Sequence, residues 1–418
     1  MARVCLIRAW YFPVDERINR EVDALVRAGH EVDLVCATMP GQPRVERLGR
    51  VTVYRIPLTR RRAGLLRYVF EWITFQLAAT VLVAALHLRR RYQIVQVNTL
   101  PDWLVFAAIV PRLLGARVLL DLHECMPEYA ATMYGLPLRH PAIRVLKKVE
   151  QASIAFADGV VTCTEPMRER FVERGAPAEK IAVALNSCDE ERLEPARYSS
   201  TARPAADEFV LVCHGTVDRN FGLDLVVRAV ALLKERIPAL RLEIYGEGRQ
   251  RLEVEALARD LDVANRVWFS RRFLPMNELL PRIAAADVGV VAIRRDAFRD
   301  LTHCNKMYEL IAMRKPVIIS RTRAVEAYFG DDCFQLFESE NERDLARAIL
   351  ELHADPERRH RLVERASATA EPYRWIHQRE EYLRAVARLL PPAPVEGRSD
   401  PVVVETPSPA VAEAVIDG

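Results

Sequence analysis

Four short segments carry residues whose types and spacing suit chemistry on an anionic, hydroxyl-rich ligand. In the first, His214-Gly215-Thr216 closes the apolar run FVLVCH and leads past Arg219 to Gly222, ahead of LDLVVRAVALL. Glycine between a strand and a helix lets backbone approach a bulky anion. The helix start adds unpaired N–H groups and the positive end of its dipole. In the second, Tyr245-Gly246-Glu247-Gly248 repeats the strand–turn–helix pattern one unit later, so both turns face one cleft. The third runs from Asp300 to Ser320: Asn305 caps a helix, Lys306 sits in its first turn, and Glu309 follows about one turn along. A cation beside free N–H groups suits phosphate; a carboxylate one turn deeper suits sugar hydroxyls. The fourth, Asp121-Leu122-His123-Glu124-Cys125-Met126-Pro127-Glu128, places an imidazole and three carboxylates after the run RVLL. Asn98 and Asp102, after the run IVQV, add polar groups at the same rim.

Each segment also has a plain structural explanation. Turns recruit glycine freely, a lone histidine is more often structural than catalytic, and Glu309 alone reads as capping electrostatics. The HExxxE spacing matches no standard zinc site, so no metal is expected. The absence of GxGxxG after the first strand argues against a nicotinamide dehydrogenase.

Stepping along the chain, residues 4–8, 31–36, 51–56, 94–97, 117–121, 160–162 and 181–184 read as strands, and 16–28 as an amphipathic helix ended by Gly29. Residues 186–207 are polar, with two prolines and no apolar periodicity, and form a linker. The pattern then restarts: strands at 209–214, 240–245, 267–269, 287–293 and 316–320, helices at 223–236 and 249–261. This predicts an α/β protein with two Rossmann-like doubly wound domains facing each other across a cleft. The divisions are an N-terminal Rossmann-like domain, 1–190, and a C-terminal Rossmann-like domain, 205–372. A helix at 373–390 packs back on the N-terminal domain, and 391–418 form a disordered tail. Residues 72–88 carry no formal charge between two arginine triplets; at 17 residues, with Gln76, Thr80 and His87 inside, they read as a buried core helix. Contact of the flanking arginines with anionic lipid is the second reading.

Composition bounds the rest. The chain has 418 residues, half hydrophobic and 28% charged, enough for two sizeable cores. Lys and Arg exceed Asp and Glu by 60 to 57, too balanced for a dedicated nucleic-acid binder. Eight scattered cysteines without a CxxC pair, and an N-terminus without a secretory signal, point to reduced thiols and the cytoplasm.

In order and spacing, DERINREVDALVRAGHEVDLV, DLHECMPE, CHGTVDRNFGLDLVVRAVALL, LEIYGEG and THCNKMYELIAMRKPVI resemble the family-4 glycosyltransferases of the GT-B fold, across about residues 4–390. The resemblance implies transfer of a sugar, with retention, from a nucleotide-diphosphate sugar to a hydroxyl of a glycan or lipid-linked acceptor, without metal or other cofactor. It implies that Gly215 and Thr216 lie against the diphosphate and that Asn305 and Lys306 meet the phosphates. Tyr245, Gly246, Glu247 and Phe273 would frame the nucleoside, and Glu309 would hold the ribose or donor sugar. His123 would reach the transferred sugar, with Asn98, Asp102 and Glu124 on the acceptor side. A role in cell-surface polysaccharide synthesis, with peripheral contact at the inner face of the membrane, follows at family level. Two positions depart from the pattern. The family's pair of glutamates keeps Glu309 but has Leu301 upstream, with Asp300 one position off. Thr216 and Phe221 stand where a basic pair is usual, with Arg219 nearby as a substitute. The rival readings are a non-catalytic subunit that binds a partner enzyme and a nucleotide-sugar epimerase.

Overall fold

The computed structural model describes residues 1–58, 65–188, 193, 195–198 and 208–391. Short apolar runs, most of them buried on both faces and followed by a helix, build two largely parallel sheets. The first contains β1 (Arg3–Tyr11), β2 (Glu31–Ala37), β3 (Val45–Leu48), β4 (Val51–Ile56), β5 (Ile94–Asn98), β6 (Arg117–Leu122), β7 (Gly159–Thr162) and β8 (Ile181–Val183), in the order β3-β4-β2-β1-β5-β6-β7-β8. The second contains β9 (Phe209–His214), β10 (Leu240–Tyr245), β11 (Val267–Phe269), β12 (Val288–Val291), β13 (Val317–Ser320) and β14 (Gln335–Phe337), in the order β11-β10-β9-β12-β13-β14. Every described pairing is parallel except β3 with β4; β4 was expected at 51–56, whereas β3, the exposed edge strand, was not singled out. The winding reverses between β1 and β5 in one sheet and between β9 and β12 in the other. Ligands in such sheets bind beyond the carboxyl ends at these switch points.

The helices of the first half are α1 (Glu16–Arg27), α2 (Leu65–Arg90), α3 (Ile109–Leu113), α4 (Met126–Tyr134), α5 (Pro141–Phe156) and α6 (Glu165–Glu173). Those of the second are α7 (Leu223–Leu233), α8 (Arg251–Asp260), α9 (Met276–Ala285), α10 (Asn305–Ala312), α11 (Arg323–Glu326), α12 (Glu342–Ala354), α13 (Pro356–Ala370) and α14 (Trp375–Leu389). Asp15 caps α1 by accepting from the Arg17 N–H, which fixes where that helix leaves the cleft edge. Ile18, Val22 and Leu25 turn its apolar side into the sheet. After the second domain, α14 returns to pack on α1, β7 and β8. Tyr382 Oη donates to Gln96 Oε1 at 2.6 Å, and Gln378 Oε1 accepts from Leu185 N at 2.8 Å. Most of the expected linker, and all but the first residue of the expected tail, lie outside the described residues.

The expectation that residues 72–88 form a buried core helix is corrected. They belong to α2, which is longer and buries one side alone: Phe75, Ala79, Val83 and Leu86 face the core, while Phe70, Leu77 and Val81 are 66%, 63% and 71% exposed. Apolar composition alone does not distinguish a surrounded helix from one with an open face.

The two domains are latched along one side of the cleft. Thr164 Oγ1 donates to Leu301 O at 2.5 Å, Glu165 N donates to Tyr328 Oη at 2.7 Å, and Arg323 pairs with Glu169 at 2.6 Å. Leu301 itself is buried within the first domain's core, which gives a packing role to the residue standing at the family's glutamate position. Asp300 is turned away to Arg295 and the Arg323 N–H.

Candidate active site between the two sheets

The second domain's wall is built around Gly215. Its φ of +92° belongs to the left-handed region, and a Cβ there would come 2.6 Å from Lys306 Cε. Lys306 therefore lies directly over the turn. Its Nζ stands 3.9 Å from the centroid of the Phe221 ring, and Arg299 stacks on the same ring at 5.2 Å. Two cations thus share one aromatic platform. Arg299, missed in the sequence because it lies in an unpatterned loop, is the arginine that the structure places beside Lys306. The Arg219 side chain is exposed, and its carbonyl is what the structure uses, accepting from Arg294. Thr216 is exposed at the same turn.

Asn305 is corrected from a cap to the first residue of α10. Cys304 occupies the cap position without a side-chain hydrogen bond, so no side chain competes for the first N–H groups of the helix. Asn305 Oδ1 instead accepts from Asn186 Nδ2 across the cleft at 3.1 Å. One turn on, Glu309 is held by His214, whose Nε2 donates to the carboxylate at 2.6 Å. Burial alone would raise Glu309, but the His214 hydrogen bond and the charges of His214, Lys306 and Arg20 hold it below the usual carboxylate range. Burial lowers Lys306 from its ordinary value, against the pull of Cys304, Cys213 and Glu309.

The turn after β10 contributes backbone. A Cβ on Gly246 would fall 1.8 Å from Gly215 O, so the two glycine turns touch. Tyr245 is corrected: its ring lies in the core beside Trp268 and its hydroxyl donates to Glu243, so it does not frame a ligand. Glu247 is engaged with Arg251 and the Gly248 N–H. Phe273 is 59% exposed, three residues before Met276, which lines the cleft. The two glycines give separable expectations. Gly246→Ala forces backbone against backbone and should abolish soluble expression. Gly215→Ala meets the flexible end of Lys306 and should still fold, with nucleotide affinity down about tenfold or more, read by calorimetry.

On the first domain's wall, Asn98 sits at the centre of a buried network. Its Nδ2 donates to Glu21 Oε2 at 2.6 Å and Asp121 Oδ2 at 2.9 Å, and Gln96 Nε2 also donates to Glu21 at 2.8 Å. Burial raises both carboxyl groups, and Glu21 further through the charge of Asp121 and a hydrogen bond to it, so Glu21 holds the shared proton. Glu21, Asp121 and His123 place ligand atoms within 4.8 Å of one another. The Asn98 amide directs its hydrogens at both carboxylates, which suits a proton-sharing pair rather than a cation cage. His123 Nε2 lies 3.2 Å from Asp121 Oδ2, and Nδ1 is buried without a hydrogen-bond partner among the described residues. Burial, then the charges of Arg17, Arg8 and Arg20, depress His123 well below its ordinary value and keep it neutral. Its Nε2 faces both the Asp121 carboxylate, at 3.2 Å, and the Asn98 amide, at 3.1 Å. Asp102 is corrected: it is wholly buried, raised by burial and by the charge of Glu150, and is not at the rim. Glu128 is likewise withdrawn to Arg174.

Among the described residues, two of the cavities join the two walls of the cleft. One of about 220 Å3 joins His123, Glu124, Arg17 and Tyr129 to Phe298, Arg299, His303 and Asn305. The other, about 400 Å3, joins Asn19, Arg20 and Trp375 to Met276 and Glu309. Arg17, Arg20 and Trp375 were not singled out in sequence; Arg and Trp on amphipathic helices have the look of ordinary surface residues. A depression of about 560 Å3 over α13 is larger but carries none of these groups. His303 donates to Ala324 O and faces Tyr308 Oη at 2.8 Å, and burial lowers it to about 4 from 6.5. The unfolded chain takes up this proton first as pH falls. His303 should thus withdraw about 3 kcal/mol of stability between pH 6.5 and about 4. His303→Gln should flatten that part of a thermal-melting profile.

A family model described as a glycosyl transferase 4-like domain matches residues 14–187, and one described as glycosyl transferases group 1 matches residues 208–355. The chain belongs to the family-4 glycosyltransferases. This member is 28% identical over 214 residues to a GDP-mannose-dependent alpha-(1-6)-phosphatidylinositol monomannoside mannosyltransferase of Mycolicibacterium smegmatis, covering 48% of this chain and 54% of that one. It is 27% identical over 290 residues to a 2-deoxystreptamine glucosyltransferase of Streptomyces kanamyceticus, covering 65% and 73%. The alignment with the mycobacterial protein thus spans about half the length of that protein. Among solved structures, sucrose-phosphate synthase of Thermosynechococcus elongatus superposes with a TM-score of 0.74 at 20% identity, over 93% of this chain and 99% of that one. An Anabaena protein in complex with UDP and glucose gives 0.68 at 14%, over 93% and 100%. These likenesses show that the two sheets form the GT-B fold.

Proposed function

We propose that this glycosyltransferase moves a sugar, with retention, from a nucleotide-diphosphate sugar to a hydroxyl of a glycan or lipid-linked acceptor in cell-surface polysaccharide synthesis. The observation that carries the reading is Lys306: a half-buried cation fixed over Gly215 and the Phe221 ring, beside the uncapped start of α10. When the bond from the sugar to the diphosphate breaks, negative charge grows on the leaving oxygen. Lys306, Arg299 and the α10 N–H groups are preorganised to receive it, which supplies without metal the stabilisation that a cation otherwise provides. Glu309, in the larger cavity, accepts from ribose or sugar hydroxyls. His123, which lines the smaller cavity, faces the transferred sugar, and Glu124 stands on the acceptor side. Closure along the Thr164–Leu301 and Glu165–Tyr328 contacts excludes water that would hydrolyse the donor.

An epimerase would set several carboxylates around the donor sugar. Here Asp121 is taken up by Asn98 and His123, and Glu128 by Arg174, which favours transfer. The test is turnover: the purified chain is given UDP-, GDP- and ADP-sugars with candidate acceptors and a chelator, and released nucleoside diphosphate and product anomer are followed by NMR. Metal-independent release with retained configuration is expected. An inverted product, or interconversion of the donor without release, would contradict the proposal.

A further inference from the structure

We propose that the outward face of α2, with the exposed end of α3, rests on an anionic lipid surface with the helix lying in the plane of the interface. Phe70, Ile73, Leu77, Val81 and Leu88 are 66%, 49%, 63%, 71% and 58% exposed. At 3.6 residues per turn they fall within about 80° of one helix face and run about 27 Å along it. The packed neighbour α3 carries a further exposed apolar side chain, Leu113, 80% exposed. Residues 69–90 are long and apolar enough to cross a membrane, yet 33% of the apolar window is buried. The inner side is pinned to the sheet by Phe75, Ala79 and Val83, so α2 is placed to lie on a bilayer rather than to span it.

Charge and area favour lipid as the occupant. Thr74 Oγ1 donates to Phe70 O at 2.8 Å and Thr80 Oγ1 to Gln76 O at 2.7 Å, as helical threonines do in any medium, so neither hydroxyl opposes burial in an apolar one. The charges that border the stripe are basic. Arg89 and Arg91 are exposed at its end, whereas Glu71 is 3% exposed and paired with Arg67. A second copy fits less well. A strip about 27 Å long and about 10 Å wide offers roughly 300 Å2 per protomer, against the roughly 600 Å2 or more per partner of a stable dimer. The placement also serves the cleft. Because α2 joins β4 to the parallel strand β5, its N-terminal end lies at the sheet edge that carries His123, where an acceptor held at a surface would be presented.

The test is cosedimentation of the full chain with vesicles of phosphatidylcholine alone and of phosphatidylcholine and phosphatidylglycerol at roughly two to one, at low and high salt. The wild type should pellet with the anionic vesicles. The double variant Leu77→Glu, Val81→Glu should lose about tenfold or more in partitioning, and Arg89→Ser, Arg91→Ser should lose the preference for phosphatidylglycerol. Neither pair touches the cleft, so nucleotide binding should be unchanged; if the glutamate pair fails to fold, the arginine pair still decides. A wild type that stays in solution with anionic vesicles, or variants that pellet equally, would overturn the proposal. So would a dimer in sedimentation equilibrium that Leu77→Glu, Val81→Glu converts to monomer, since the face would then join two copies.

Discussion

Lys306→Ala is expected to lower kcat/KM for sugar transfer by about 10²–10³-fold, the scale seen when one preorganised donor is removed from a developing anion. Ammonium, aromatic ring and glycine turn are assembled for one position: Nζ lies against Phe221, and the stem covers Gly215. Arg299 on the same ring leaves residual activity, so Lys306→Ala, Arg299→Ala should lose more than either alone. The stability effect has the opposite sign. Burial lowers the Lys306 pKa, so the folded chain binds that proton less tightly than the unfolded chain. The charged side chain therefore costs stability below its folded pKa, and the cost fades as pH rises from there to the ordinary lysine value. Lys306→Met should melt higher than wild type at neutral pH while losing donor turnover. Differential scanning fluorimetry beside a turnover assay checks both, and a variant that melts lower with turnover intact would place the lysine in the fold rather than in the chemistry.

His123→Ala is expected to reduce kcat by about 10²-fold while leaving nucleoside diphosphate affinity within about twofold. The separation follows from placement: His123 stands on the first domain's wall, whereas Gly215, Lys306 and Glu309 stand on the second's. Burial, Arg17, Arg8 and Arg20 hold His123 neutral, with the depression from 6.5 meaning that protonation comes only as pH falls well below that value. Turnover should not show the ordinary histidine titration near pH 6.5, and acid loss of activity should begin below it. A kcat loss matched by an equal loss of nucleotide affinity would contradict the placement.

What was legible in the sequence was whatever carries local periodicity or a special residue. The alternation of apolar runs with amphipathic helices placed both sheets, and the glycines at 215 and 246 marked turns whose close approach needs the missing Cβ. Lys306 and Glu309 lie one turn apart on one helix, so their juxtaposition was readable. Arg299 was not, since its partner Phe221 is far along the chain and the cation–π contact exists only after β9 and β12 pair. Nor could sequence say that Tyr245 and Asp102 turn inward, because Tyr245 ends β10 and Asp102 follows β5, where tertiary packing decides which side chains are covered. Glu21 was not singled out in α1, and its burial comes from Gln96, Asn98 and the returning helix that brings Tyr382. The open face of α2 had the same origin: which side of an apolar helix is covered depends on what tertiary packing leaves uncovered.

The most direct test of the central claim is isothermal titration of UDP, GDP and ADP into the wild-type chain and into Lys306→Ala, in the presence of chelator. The account predicts metal-independent binding of one nucleoside diphosphate, weakened about tenfold or more in Lys306→Ala. A well-folded wild type that binds none of the three, or a Lys306→Ala variant that binds as tightly as wild type, would contradict it, the first outcome pointing to a non-catalytic subunit.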